Sequence, residues 1–324
     1  MADAGAWGNK PYYSFDAYCK SVYGEKVYKI ALNIGCTCPV RDGTIHSDAC
    51  IFCSAGGSGE FAAAPSGQTP DLPAQLAAGK ERIRRKYGGS RFIAYLQPYT
   101  NTYGDPAYLK DCYTAALADE EVVGLSIATR PDCLGPEIMA VLDAVREDFP
   151  EKSLWIELGL QTIHRKTVQY IRRGYETSVF EEAVHTLHTH HIPVIVHVIL
   201  GLPGEDRSQI LTTIEYLNTF PIFGIKLQLL HVLMGTDLAK DYAERKFETL
   251  TRTEYIQLLI DCLEHLSPQT VIHRLTGDGP RDLLIAPLWS TDKKNILNQL
   301  LKEMERLGSY QGKAFSGADR FPIL

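Results

Sequence analysis

Cys38, Cys50 and Cys53 are spaced C-x11-C-x2-C, with Phe52 between the last two, in a loop that directly follows an apolar run. Three thiolates can hold three irons of a [4Fe–4S] cluster and leave the fourth iron open, which suits a cluster that binds and reacts with a substrate. The same pattern also reads as a Cys3His zinc knot, with His46 inside the loop as fourth ligand, or as buried thiols. C-x2-C is common to both metal readings, so spacing alone leaves them about even.

The chain has eight cysteines. Cys36, Cys38, Cys50 and Cys53 crowd into one loop, whereas Cys19, Cys112, Cys133 and Cys262 are scattered. That distribution fits a reducing compartment with a metal site better than a disulfide framework. Cys112 and Cys262 fall within helical apolar patterns and read as buried structural thiols.

Polar residues recur where apolar runs end. Thr100, Asn101 and Thr102 follow one run, Thr129, Arg130, Pro131 and Asp132 the next, and Gln161 another. Gly201 to Glu205 follows a fifth, and Leu229, Leu230 and His231 close a sixth. Turns favour such residues anyway. Their repetition at successive strand ends is the stronger signal.

These residues need a scaffold that brings strand ends together. Predicted strands cover 26–34, 91–97, 122–129, 154–160, 194–200 and 224–230. Predicted helices lie near 72–87, 105–118, 135–148, 164–172 with 178–190, and 206–219. Six strand-then-helix units imply parallel pairing with right-handed crossovers. The expected fold is α/β, a partial (βα)6 TIM-like barrel of parallel strands, whose chemistry gathers at the C-terminal ends of the strands. The expected division is an N-terminal segment over 1–25, the barrel over 26–235 and a C-terminal helical extension over 236–324. In that extension, helical stretches near 237–247 and 251–266 lead through Val271 to Arg274 and a Gly-Asp-Gly-Pro turn to a helix near 291–307. The stretch from Ser54 to Pro73, rich in Gly, Ala, Pro and Ser, is a candidate mobile loop.

With 324 residues, 45% of them hydrophobic, the chain can bury a large core. No signal peptide is visible, and the most apolar segment, 193–203, is interrupted by His197 and too short to cross a bilayer. The protein is expected to be soluble and cytoplasmic, with no membrane partner. A net charge of −6 does not draw nucleic acid to the surface as a whole. The basic run from Lys80 to Lys86, closed by Arg91, and the pairs Arg165 with Lys166 and Arg172 with Arg173 are local exceptions. Such runs more often form a solvated helix face.

The motifs together resemble the radical S-adenosylmethionine superfamily, in particular its Elp3-related branch and, within it, a bacterial subfamily called YhcC/YtqA-like. The resemblance is carried by GCTCPVRDGTIHSDACIFC (35–53), AYLQPYTNTY (94–103), GLSIATRPDCL (124–134), WIELGLQTIHRKTVQYIRRGY (155–175), HVILGLPGED (197–206), GIKLQLLHVLMGT (224–236) and HRLTGDGP (273–280). It implies a [4Fe–4S] cluster on Cys38, Cys50 and Cys53, S-adenosylmethionine as cofactor, and an external one-electron reductant such as flavodoxin or ferredoxin. It makes Cys36 an extra and sets Phe52 against the adenine. Gln161 and Arg173 correspond to residues that bond the ribose and pair with the methionine carboxylate. His197 stands where relatives carry Asp toward the ribose, and Thr100, Asn101 and Thr102 replace the glycine-rich strand end that cradles the methionine amine. Thr129, Arg130 and Leu230 complete the expected cofactor contacts. Val40 stands where the family often shows Asn.

The resemblance extends, with GSYQGKAF (308–315), to Gram-positive members linked to tRNA wobble-uridine modification. There a carboxymethylaminomethyl group on uridine is shortened to aminomethyl. It implies tRNA as partner, with the basic run 80–91 as a landing surface. A radical enzyme acting on a protein or metabolite, and a non-enzymatic zinc or iron–sulfur module, are the alternatives.

Overall fold

The computed structural model describes residues 7–45, 49–57, 70–277 and 279–317. His46 and most of the candidate mobile loop, 58–69, lie outside the described residues. Among the described residues no helix is long and apolar enough to cross a membrane.

After helix α1 (Phe15–Tyr23), strands and helices alternate: β1 (Val27–Leu32), α2 (Leu72–Tyr87), β2 (Arg91–Leu96), α3 (Pro106–Leu117), β3 (Val122–Thr129), α4 (Pro136–Asp148) and β4 (Ser153–Gln161). There follow α5 (Arg165–Tyr170), α6 (Thr177–Thr189), β5 (Val194–Leu200), α7 (Arg207–Leu217) and β6 (Gly224–Leu229). The last part carries β7 (Val232–Leu233), α8 (Asp237–Ala243), α9 (Arg252–His265), β8 (Val271–Arg274), β9 (Leu284–Ala286) and α10 (Lys293–Leu307).

The helix starts follow from their caps. Asp71 accepts the Ala74 N–H at the start of α2, and Asp206 with Gln209 and Thr251 with Glu254 form reciprocal capping boxes on α7 and α9. All six expected strands form and pair in parallel in chain order, giving the curled half-barrel sheet. A seventh parallel strand, β8, joins the sheet beside β6, so the stretch after residue 236 contributes to the barrel wall as well as helices. Its approach is close: a Cβ on Gly224 would lie 2.9 Å from the Val271 carbonyl oxygen.

The two faces of the sheet differ in kind. Ile30, Leu32, Phe92, Leu96, Ile127, Ile156 and Leu158 face outward and join the helices in the main apolar core. Because alternate residues share a face, the inner wall is built in layers. Its lowest layer, with Val27, Ile93, Trp155, Ile195 and Val271, is an apolar plug that includes Cys19 and is flanked by Phe15 and Tyr18 of α1. The helix that closes the bottom was not among the expected elements. Two residues up each strand, the inner wall turns polar.

Candidate active site

A cavity of about 500 Å³ opens at the C-terminal ends of the strands and runs down into the half-barrel. Its rim holds Cys38, Cys50, Phe52 and Cys53, joined by Thr100, Thr129, Arg130, Gln161 and Leu230 from successive strand ends and by Arg173 from the turn after α5, and His197 lies deeper. Of the expected site residues, only Asn101 and Thr102 stand behind the wall. Asn101 is buried and its amide nitrogen donates to the carbonyls of Leu96, Pro98 and Ala128, at 3.0 to 3.1 Å. Thr102 Oγ1 lies 2.5 Å from Thr129 Oγ1 and donates to the Cys133 carbonyl. Both side chains hold strand ends together rather than face the cavity.

The cysteine loop is pinned by its own backbone. The Ile51 N–H donates to the Ile171 carbonyl, the Leu238 N–H to the Ile51 carbonyl, and the Thr100 N–H to the Thr37 carbonyl. Cys38, Cys50 and Cys53 are half-buried free thiols. A hydrogen bond between the Cys50 and Cys53 sulfurs pulls the first thiol down in pKa and pushes the second well up, and Arg130 and Arg41 add to the lowering of Cys50. Positive surroundings of this kind favour thiolate, the form that binds metal. Among the described residues no three Cys, His, Asp or Glu side chains converge closely enough to hold one ion. The donor set itself fits a [4Fe–4S] cluster with one open iron: three free thiols on one loop, with the Cys50 thiol lowered in pKa and two guanidinium groups nearby. Cys36 is set apart: it packs against the main core, and burial pushes its thiol up to about 12.

Gln161 ends β4 with φ of 62°, a left-handed conformation that a non-glycine residue adopts at a cost. Space for its amide comes from Gly159, where a Cβ would lie 2.4 Å from Gln161 Nε2. Arg173 is buried and reaches the cavity wall, yet its five N–H groups are all taken. Nη1 donates to the carbonyls of Leu160 and Thr162, both at 2.8 Å, while Nε and Nη2 donate to the Tyr175 carbonyl and Nη2 to Thr177 Oγ1. The fork expected for a methionine carboxylate is therefore engaged as a brace of the strand end, and pairing with a carboxylate would require an exchange of those partners. Arg130 is forked on Asp132, at 2.9 and 2.6 Å.

The sequence reading missed the polar layer inside the barrel. Glu157, fully buried, accepts from Lys29 (2.7 Å) and Ser126 (2.6 Å) on Oε1, and from His197 (2.6 Å) and Lys226 on Oε2. Lys226 also donates to Tyr95 Oη at 3.0 Å. Despite burial, the two lysines hold Glu157 well below the usual carboxylate range. Burial drives Lys226 well down and takes His197 to about 4. The available signal was a charged residue in the middle of an apolar strand: Lys29 in VYKIAL, Glu157 in SLWIELGLQ and Lys226 in GIKLQL.

The basic run is different from a free landing surface. Lys80 is buried against Asp119 (2.5 Å) and Glu121 (2.7 Å), Arg84 pairs with Glu121, Arg85 with Glu81 (2.6 Å) and Arg91 with Glu25 (3.1 Å). Arg82 is exposed, lines the cavity and has no acidic partner among the described residues.

A parallel half-barrel with cysteines at the C-terminal ends of its strands defines a class, and comparison with known proteins agrees. The chain belongs to the radical SAM superfamily: residues 33–217 match the superfamily model, and residues 222–306 match the Radical_SAM C-terminal domain. It is an enzyme of the YhcC/YtqA-like and Elp3-related group. It is 42% identical over 306 residues to the uncharacterized protein YtqA of Bacillus subtilis, covering 94% of this chain and 93% of that one. The tRNA uridine(34) acetyltransferase of Methanocaldococcus jannaschii is 26% identical over 198 residues, 59% of this chain and 34% of its own length. The fold is shared with the archaeal Elp3 of Methanocaldococcus infernus, at a TM-score of 0.66 and 17% identity, covering 88% of this chain and 64% of that one.

Proposed function

We propose that Cys38, Cys50 and Cys53 anchor a [4Fe–4S] cluster, that S-adenosylmethionine occupies the upper cavity, and that the substrate is a tRNA wobble uridine carrying a carboxymethylaminomethyl group. The observation that carries the first part is the grouping of three thiols and five strand ends on one cavity. A cluster held there would supply the electron that cleaves S-adenosylmethionine to a 5′-deoxyadenosyl radical.

The chain's own residues do the rest. Phe52 offers a flat apolar face to the adenine, and Gln161, held out by Gly159, offers an amide to the ribose. The apolar plug beneath the polar layer closes the cavity to water from below. On the substrate, the glycyl methylene would lose a hydrogen atom to the 5′-deoxyadenosyl radical, then one electron to an external one-electron acceptor such as oxidised flavodoxin or ferredoxin and the N–H proton to water, giving an imine. Water splits it into aminomethyluridine and glyoxylate. The resemblance to wobble-uridine enzymes supports the RNA assignment, as does the named activity of the archaeal relative at uridine 34.

Anaerobic reconstitution is expected to give one [4Fe–4S] cluster per chain, lost in Cys38→Ala, Cys50→Ala or Cys53→Ala and kept in Cys36→Ala. Iron unchanged in Cys50→Ala sinks the ligand assignment. tRNA from cells lacking the protein should accumulate carboxymethylaminomethyluridine. If purified enzyme consumes S-adenosylmethionine under reducing conditions and leaves that nucleoside untouched, a protein or metabolite target replaces RNA.

A further inference from the structure

The polar layer at the bottom of the cavity has no part in holding the strand ends. It brings two amines, Lys29 and Lys226, to one acid, Glu157, with Ser126, Tyr95 and His197 around them. Glu157 is saturated: each of its oxygens accepts two hydrogen bonds, so it has no lone pair left for a substrate donor. Lys226 is 3% exposed and neutralises Glu157 from within the wall. Lys29, at 19% exposure, lines the cavity. Among the described residues its ammonium donates to Glu157 Oε1 and Ser126 Oγ, which leaves one of its three N–H groups.

From this arrangement we propose that the layer seats a carboxylate carried by the substrate and that Lys29 is the residue that selects it. The proposal rests on the reading of the substrate as a uridine with a carboxymethylaminomethyl group, and it assigns the end of that group to a place in the barrel. An incoming cation would meet the Lys29 ammonium, and a neutral amine would find no acceptor on Glu157. A carboxylate would gain a charge-assisted hydrogen bond in a pocket closed below by Trp155. The layer is distinct from the rim where a methionine carboxylate would be held. Glu157 lies four residues before Gln161 on β4, roughly 13 Å down the strand at about 3.3 Å per residue.

The test uses cluster-loaded, S-adenosylmethionine-saturated enzyme and two anticodon stem-loop RNAs, one with 5-carboxymethylaminomethyluridine and one with 5-aminomethyluridine at the wobble position. Wild type should bind the first at least tenfold more tightly. Lys29→Met should abolish that preference, leaving affinity for S-adenosylmethionine unchanged and affinity for the aminomethyl RNA unchanged or raised, because the repelling ammonium is gone and one Glu157 lone pair is freed. Lys29→Arg should retain it. The loss expected for one charge-assisted contact is roughly ten- to a hundred-fold. Should Lys29→Met fail to fold, Lys29→Gln takes its place, and equal affinity of wild type for the two RNAs overturns the proposal without any variant. If wild type converts the carboxylate-bearing RNA and Lys29→Met keeps the preference, Lys29 is not the selector and the RNA reading stands. If wild type neither binds nor converts either RNA, the substrate reading itself fails and this proposal goes with it.

Discussion

Arg130 Nη1 donates to the main-chain carbonyl of Arg173 at 2.8 Å, and both guanidinium groups lie over the ring of Tyr175, 4.9 and 4.4 Å from its centroid. Two like charges are thus brought to one rim with a carbonyl and an aromatic face between them, and Asp132 balances the first. The arrangement ties the end of β3 to the turn after α5.

Arg173→Ala should therefore cost stability as well as cofactor affinity. It leaves the Leu160 and Thr162 carbonyls without the donors they have, at about 1–3 kcal/mol for each buried group, or about 2–6 kcal/mol together. Affinity for S-adenosylmethionine should fall roughly ten- to a hundred-fold. Denaturant unfolding alongside cofactor titration separates two roles: lost affinity with full stability would make Arg173 a direct ligand contact instead of a brace.

Gly159→Ala probes the rim more gently. The new Cβ would lie 2.4 Å from Gln161 Nε2, so the amide must swing away from its place beside Tyr175. One hydrogen bond of about 0.5–1.5 kcal/mol is at stake, roughly a two- to tenfold weaker affinity for S-adenosylmethionine. Gln161→Ala should show the same loss, and the double variant no more than either alone. Additive losses would mean that Gly159 acts by another route.

Stability should fall in mild acid because of His197. Its imidazole ordinarily protonates near 6.5, and in the fold burial, with Lys226 nearby, takes it down to about 4. Between those values the unfolded chain binds the proton and the folded chain does not, so stability is constant above about pH 6.5 and declines from there to about pH 4. The loss from this residue is at most about 3 kcal/mol. His231, half-buried against Ser290 and also taken to about 4, adds to the same window. His197→Asn should remove about one proton from the slope of unfolding free energy against pH between 6.5 and 4. An unchanged slope would show that His197 is charged in the folded protein.

Much of this was legible because the barrel's rim is written in local patterns. Strands β1 to β6 read as apolar, β-branched runs, and α2 begins and ends where Asp71 and Gly88 punctuate the chain. What escaped depended on distant partners. The short strand β8 has only four residues, and its place is set by the close approach that Gly224 allows. Helix α1 carried its signals, with Ser14 as cap and Phe15, Tyr18 and Cys19 on one face, yet its function as a plug follows only from the closed sheet above it. Lys29, Glu157 and Lys226 are separated by up to 197 residues of chain (226 − 29) and pair only once the strands curl. The resemblance gave Arg173 a cofactor role, and its second engagement, as a brace on the Leu160 and Thr162 carbonyls, has no mark in the sequence.

The pairing within the basic run changes which residues should matter to RNA. Arg84 and Arg85 already have carboxylate partners, and Lys80 is buried, whereas Arg82 is exposed at the cavity with no acidic partner among the described residues. A phosphate drawn to Arg84 must compete with Glu121; one drawn to Arg82 meets a full charge. Arg82→Ala should therefore weaken tRNA binding and lower the slope of log affinity against log salt by roughly 0.7–0.9, the share of one phosphate contact. Arg84→Ala and Arg85→Ala should change that slope by less than half as much. Cofactor cleavage in the absence of RNA should be the same in all three, since Arg84 and Arg85 do not line the cavity and Arg82 reaches it from α2 rather than from the strand ends beside the cysteines. Filter binding of unmodified and modified tRNA across a salt series gives the slopes. If all three variants leave both affinity and slope at the wild-type value, the α2 face takes no phosphate and RNA would have to approach from another side of the barrel.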